Sequence, residues 1–276
     1  MKIFERVSAL LSDDALQTAT EEAKAHVKAN PQDKEGRFLL IDLLVLIGDY
    51  ERADRQVTLA ATFSPNDAMG LSLLRNELRG MFARDAWFTS GAIPAFPGGP
   101  TACDQAAVRL NIADREGDGS EARRALDAIE ELRGQRPMSW NDRAVDDFRD
   151  LDDRIPHALE VITTGGAYLW IDYARLASLK LEPIARPRDL AFRRAELKLV
   201  DGAVASVLIP AIYPDTRGED GYRLGRQTDW IEKQTGLTIG LGQRSLLVGD
   251  VLAGFHETVT LAPAPISQDA GRVLLA

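Results

Sequence analysis

Residues 36–50, GRFLLIDLLVLIGDY, constrain the fold more than any other stretch of the chain. Phe38, Ile41, Leu44 and Val45 stand at helical spacing, and Leu39, Leu40, Leu43, Leu46 and Ile47 widen that stripe until almost no polar face remains. A helix that is apolar nearly all round has to be covered on several sides. The expectation is a helical layer with this helix at its centre. One neighbour precedes it: Ser12 or Asp13 can cap a helix through Ala15, Leu16, Ala19, Ala23 and Val27. That helix stops at Asn30-Pro31, because the residue before proline is pushed out of the helical region.

Ala29-Asn30-Pro31 recurs as Phe63-Ser64-Pro65, with the two prolines 34 positions apart, the tetratricopeptide period. Gly48, Tyr50, Ala53, Ala60 and Pro65 fall at the offsets that this repeat uses for its turn, its helix contacts and its terminator, while Ile41 and Val57 depart from it. One full repeat and a preceding half cannot bury a continuous core, so the layer has to lean on the rest of the chain.

Further helices follow. Asn66-Asp67 caps one through Leu71, Leu74 and Leu78 to about Ala86, and TSGAIPAFPGGPT reads as a loop or crossing strap. From Thr101 a helix runs through Ile112 and breaks at Gly117-Asp118-Gly119, and a second helix runs from Ser120 through Leu132. The acid-dense run Arg136 to Ala158 is expected to hold a short helix over Asn141–Leu151, fixed by Trp140 and Phe148. Its carboxylates alternate with arginines as on a solvated, ion-paired face. Neither these acids with His157 nor Asp114, Asp118 and Glu121 have the ligand pattern of a metal site.

Strand signals dominate from about residue 156. Thr164-Gly165-Gly166 and Asp201-Gly202 each separate two β-rich runs, the latter by the strongest two-residue hairpin signal. Tyr173 to Leu179 reads as a short helix or turn, and Pro183 to Arg188 as a proline-bounded crossing. Short strands are expected at 228–233, 236–240, 244–248 and 255–261. The fold class is therefore α+β: a tetratricopeptide-like helical domain over 1–155, then a β-rich domain over 156–276 built as a small barrel or bent sheet.

The glycine-punctuated stretch Tyr222 to Asp250 holds the candidate functional residues, Arg223, Arg226, Asp229, Trp230, Gln243 and Arg244. They suit either of two roles, locking the fold through buried hydrogen bonds or binding a partner. Arg226 and Asp229, three apart, are placed to pair with each other, and Trp230 is expected to face inward. Gly240-Leu241-Gly242 lacks the third glycine and the following helix of a dinucleotide fingerprint. His256-Glu257 is only a dipeptide, and Ser245 has no obvious base partner for a nucleophilic triad. No catalytic residue, cofactor or metal is implied.

Charge and cysteine content narrow the setting. With 33 Lys and Arg against 42 Asp and Glu, the net charge of −9 argues against general nucleic-acid binding. Lone Cys103 has no intramolecular disulfide partner, and neither a signal peptide nor a membrane-spanning run is visible, so a cytoplasmic location is expected.

Several segments then carry a family resemblance: Trp170-Ile171-Asp172, Arg188-Asp189-Leu190 with Phe192-Arg193, Val207 to Pro214 (VLIPAIYP), Arg223 to Trp230 (RLGRQTDW) and Gly240 to Asp250 (GLGQRSLLVGD). Together with the ANP and GDYERAD runs of the front half, they resemble the ImpE family, the TagJ or SciE type. The resemblance implies a non-enzymatic accessory protein of the bacterial type VI secretion system. Its implied partners are the N-terminal helix of the small sheath subunit and the ATPase that disassembles the sheath. Helical hairpins offer a concave surface for such a helix, and the net acidity suggests a partner segment carrying Lys or Arg. Two other readings stand beside it: a generic tetratricopeptide-type scaffold or chaperone, and a hydrolase using Arg and Asp residues of the back half.

Overall fold

The computed structural model describes residues 2–265 except 64, 215 and 217. Ser64 of the second proline motif and the end of the expected back domain, 266–276, lie outside the described residues. Seven helices precede residue 134 among the described residues: α1 (Ile3–Ser12), α2 (Leu16–Ala29), α3 (Lys34–Leu46), α4 (Tyr50–Phe63), α5 (Ala68–Ser90), α6 (Ala102–Glu116) and α7 (Gly119–Arg133). α3 is buried at every position from Gly36 to Leu46 except Phe38, so the central helix expected from the sequence is central. Its N-terminus is closed by Asp33, which accepts from the Gly36 amide at 3.1 Å. α1 is an additional helix that the sequence reading did not place. It buries Ile3, Val7 and Leu11, and Asp14 then adopts a left-handed φ of 54° that turns the chain into α2. The cap expected at Ser12 or Asp13 is not formed, since the N-cap of α2 is Ala15.

Strands begin at 138: β1 (Met138–Trp140), β2 (Arg143–Val145), β3 (Phe148–Asp150), β4 (Ala158–Thr163), β5 (Tyr168–Asp172), β6 (Leu176–Leu181), β7 (Phe192–Leu199) and β8 (Val204–Pro210). After the single-turn α8 (Asp220–Arg223) come β9 (Thr228–Glu232), β10 (Thr238–Gly242), β11 (Ser245–Val248), β12 (Val251–Gly254) and β13 (Thr260–Pro263). Eight strands form one unclosed antiparallel sheet in the order β2-β1-β13-β6-β7-β8-β4-β5. A hairpin, β9–β10, and a three-stranded sheet, β12-β11-β3, complete an α+β fold. Of the expected small barrel or bent sheet, the barrel is not formed: the large sheet is unclosed.

Two local expectations are overturned, and that of a short helix or turn over 173–179 holds only for its first three residues. The helix expected over 141–151 is instead β2 and β3. Asn141 and Asp142 take left-handed φ values of 50° and 62°, the geometry of a two-residue hairpin turn, and Trp140 pairs with Arg143. Residues 173–179 are a single 3-10 turn followed by β6, a strand in the interior of the large sheet. The strand expected over 255–261 splits into the 3-10 turn Phe255–Glu257 and β13. Although β1 to β3 precede residue 155, they pair with β13 and β11, so helix gives way to strand within 134–137.

The helices and the sheet meet along α5. Gly80 and the Gly166 turn allow this helix to lie against β4: a Cβ on Gly80 would fall 2.4 Å from Ile162 Cγ2, and one on Gly166 would fall 2.6 Å from the Asn76 carbonyl oxygen. Trp87 and Trp170 meet edge to face across the same boundary, with ring centroids 5.3 Å apart.

Candidate partner-binding groove

A groove of about 1090 Å³ opens where the helical layer meets the 184–190 crossing. Alternate helices α1, α3 and α5 line one side, as a tetratricopeptide-like arrangement would place its concave face. Leu11, Leu39, Leu71 and Leu74 give it an apolar floor, and Phe4, Leu73 and Ile184 leave large apolar surface in solvent at 45%, 42% and 42% exposure. An amphipathic ligand is what such a floor and lip accommodate.

Two buried carboxylates from the helical side meet arginines from the sheet side. Asp42 of α3 lies 3.5 Å from Arg188 Nη1, and Glu77 of α5 accepts from Arg194 Nη2 at 3.0 Å. Burial raises the Asp42 carboxyl to a pKa of about 6, even though the Arg188 charge acts to lower it. Arg188, itself buried, is pushed below the usual arginine range by desolvation.

Outside the groove, a buried ionic cluster fastens helix to sheet. Arg84 of α5 donates through Nε to Glu160 Oε1 of β4 at 2.8 Å and through Nη2 to Oε2 at 3.0 Å. Arg244 joins Glu160 to Asp150, reaching Asp150 Oδ2 at 2.7 Å, and the Tyr213 hydroxyl donates to Asp150 Oδ1 at 2.9 Å. Burial pushes the Asp150 carboxyl up, opposed by the Arg244 charge. These groups close on one another around a remnant of about 10 Å³, too small for a substrate.

The six residues proposed from the 222–250 stretch go to separate places. Arg223 donates to the Ile47 carbonyl at 2.6 Å, at the end of α3, and Arg226 pairs with Asp14 and lines the groove. Arg226 and Asp229 therefore do not pair with each other. Asp229 instead accepts from the Trp230 amide at 2.8 Å and the Tyr222 hydroxyl at 3.4 Å. Trp230 is not turned inward: it is 37% exposed and tilted against Tyr213, on a strand whose residues are all exposed from Asp229 to Glu232. Gln243 holds the Gly225 carbonyl, and Arg244 belongs to the buried cluster.

His256 is half-buried beside Gly225, and neither Arg226 nor Asp229 pairs with it. Desolvation, and next the Arg193 charge, lower its pKa to about 4. His157 is interior and faces Asp104 at 3.0 Å. Among the described residues no three His, Cys, Asp or Glu side chains come together as a metal site, and no helix is long and apolar enough to cross a membrane.

The sequence reading missed Phe4, Leu73, Asp42, Glu77, Arg186 and Arg194 as groove residues. RPRDLAFRR, with four arginines and one acid over 186–194, was the one local signal in an acidic chain.

The Type VI secretion system accessory component TagJ of Pseudomonas aeruginosa is 30% identical over 240 residues, 83% of this chain and 79% of that protein. The chain belongs to the ImpE family. The family model described as "ImpE protein" matches residues 142–262, the strand-rich part of the fold. The crystal structure of VPA1032 from Vibrio parahaemolyticus superimposes with a TM-score of 0.87 at 28% identity, covering 94% of this chain and 98% of that one. The ImpE resemblance of the RLGRQTDW and GLGQRSLLVGD segments is thus a family relationship, and their residues serve several parts of the fold.

Proposed function

We propose that this protein is a non-enzymatic accessory component of a type VI secretion system that works in the cytoplasm by holding an amphipathic helix in the groove formed by α1, α3, α5 and the 184–190 crossing. The occupant in this reading is the N-terminal helix of the small sheath subunit, and the sheath-disassembling ATPase is the machinery to which the complex is linked. The observation that carries the reading is the groove itself, an apolar floor with exposed Phe4, Leu73 and Ile184 at its lip. Its support is the 30% identity to TagJ over most of both chains. A helix inserts residues at i, i+3 or i+4, and i+7 into such a floor, and binding needs no chemical step.

The generic scaffold reading shares the geometry but not the relative. The hydrolase reading has little support, because Arg226, Asp229 and His256 turn to different partners. Titration of purified protein with the small sheath subunit tests the proposal. Binding should occur with the intact subunit and disappear when its first helix is deleted. Leu73→Glu, at an exposed groove position, should abolish binding while leaving the thermal midpoint within about 2 °C, since exposed substitutions change stability by about 0.5 kcal/mol or less. Equal binding without the first helix rules the proposal out.

A further inference from the structure

The charges lining the groove are sorted by side: four acids, Glu35, Asp42, Asp67 and Glu77, come from the helical layer, and four arginines, Arg186, Arg188, Arg194 and Arg226, from the strand-rich part. The protein carries a formal −9, yet the sheet side of the groove presents Arg186, Arg188 and Arg194. Their two carboxylate partners are buried. The side chains of Asp42 and Glu77 are only 9% and 3% exposed, whereas that of Arg194 is 32% exposed, and Arg186 is exposed with no ion pair among the described residues. An occupant of that side therefore meets the Arg186 and Arg194 guanidinium groups first, while Arg188 lies as deep as the Asp42 it faces. Pro187 and the 3-10 turn Pro187–Leu190 stiffen the segment that carries two of these arginines, and the Asp189 carboxylate accepts from the Ala185 and Arg186 amides at 2.9 and 3.0 Å. The arginines are thus mounted on a fixed turn.

We infer that this arginine side selects a helix whose flank carries carboxylates, next to the apolar stripe that fills the floor. The inference rests on the helix-in-groove reading and adds the polarity of the ligand. It differs from what net charge alone suggests, a partner flank rich in Lys or Arg. Guanidinium groups bind carboxylates in a planar, two-bonded geometry, so the arginines also fix the rotation of the helix about its axis. The lip opposite, where Glu35 is exposed, disfavours an acid on the other flank.

The test uses three synthetic amphipathic peptides with one leucine stripe and a flank of Glu, Gln or Lys, titrated by fluorescence polarisation into the full-length protein. The Glu peptide should bind about tenfold tighter than the Lys peptide, and the gap should shrink at high salt. Arg186→Glu, at an exposed position, should reverse the order, and Leu73→Glu should remove binding of all three. Equal affinities that Leu73→Glu still abolishes would leave the groove reading intact and overturn the charge inference. A preference for the Lys peptide, or an unchanged order in Arg186→Glu, would also overturn it. Binding that is indifferent to Leu73→Glu, or no binding of any peptide, would overturn both.

Discussion

Arg84 of α5 and Glu160 of β4 form a two-bonded ion pair across the boundary between the helices and the sheet, with side-chain exposures of 3% and 0%. They come from segments 76 residues apart, and each has a second partner: Arg84 donates to the Ile212 carbonyl, while Glu160 accepts from Arg244 and the Tyr168 hydroxyl. Burying charge is costly unless every member is satisfied, so removing one partner is worse than never having had the pair. Arg84→Met should cost about 3–5 kcal/mol in urea unfolding at pH 7. The double change Arg84→Met with Glu160→Gln should recover part of that loss, because it leaves Arg244 and Asp150 as a balanced pair instead of two buried carboxylates on one arginine.

The Gly166 turn should be less forgiving than its conformation alone implies. Its φ of 88° resembles that of Gly99 at 85°, but a Cβ at 166 would meet the Asn76 carbonyl while a Cβ at 99 would meet open space. Gly99→Ala should cost about 1–2 kcal/mol, the left-handed penalty. Gly166→Ala should cost at least about 1 kcal/mol more, since α5 must move away from the β4–β5 turn. Paired denaturation curves check the difference.

Asp42, which is buried, and His256, which is half-buried, set opposite pH responses. Asp42 has a folded pKa of about 6 against a reference of 3.8, so its stabilising contribution is complete below 3.8 and is lost as pH rises through 6. His256 has a folded pKa of about 4 against 6.5, so its contribution is present above 6.5 and is lost as pH falls through 4. Between pH 4 and 6 the two partly cancel. Relative to the unmodified protein, Asp42→Asn should gain stability on going from pH 4 to 7, and His256→Gln should lose it. Each difference should be on the order of 2–3 kcal/mol. Chemical denaturation of the three proteins at several pH values measures both, and difference curves of the same sign would contradict the assignment.

What could be read from the sequence was what is local. α3 announces its burial by being apolar all round, and Asp201-Gly202 announces the β7–β8 hairpin, although the loop has three residues, Val200 to Gly202, and only Gly202 is left-handed, at 92°. The 143–150 segment misled because arginines and aspartates three and four apart suit a helix, whereas short strands of three residues leave almost no periodic signal. Asn141 and Asp142, both tolerant of left-handed φ, were the available clue. The groove was hidden for a different reason. Phe4 and Leu73 meet Arg186 and Arg194 only after the sheet has folded against the helices, and no pattern in one segment encodes that juxtaposition.

The stretch 222–250 looked like a single site, and its arginines now separate into two kinds. Arg226 pairs with Asp14 where the two side chains are 37% and 43% exposed, and solvent screens such a pair to about 0–1 kcal/mol. Arg244 is 5% exposed and bridges two buried carboxylates, Asp150 and the Glu160 that it shares with Arg84. Arg244→Ala should therefore cost about 3–5 kcal/mol, and Arg226→Ala less than about 1 kcal/mol. Because Arg226 lines the groove, its replacement should weaken helix binding severalfold with a nearly unchanged melting curve. Arg244→Ala should reduce binding only in proportion to the protein unfolded at the assay temperature. Thermal melts and peptide titrations on the same two variants decide the matter. A large stability loss in Arg226→Ala would make that arginine a fold-holding residue, and a folded but non-binding Arg244→Ala would move the partner surface toward the buried cluster.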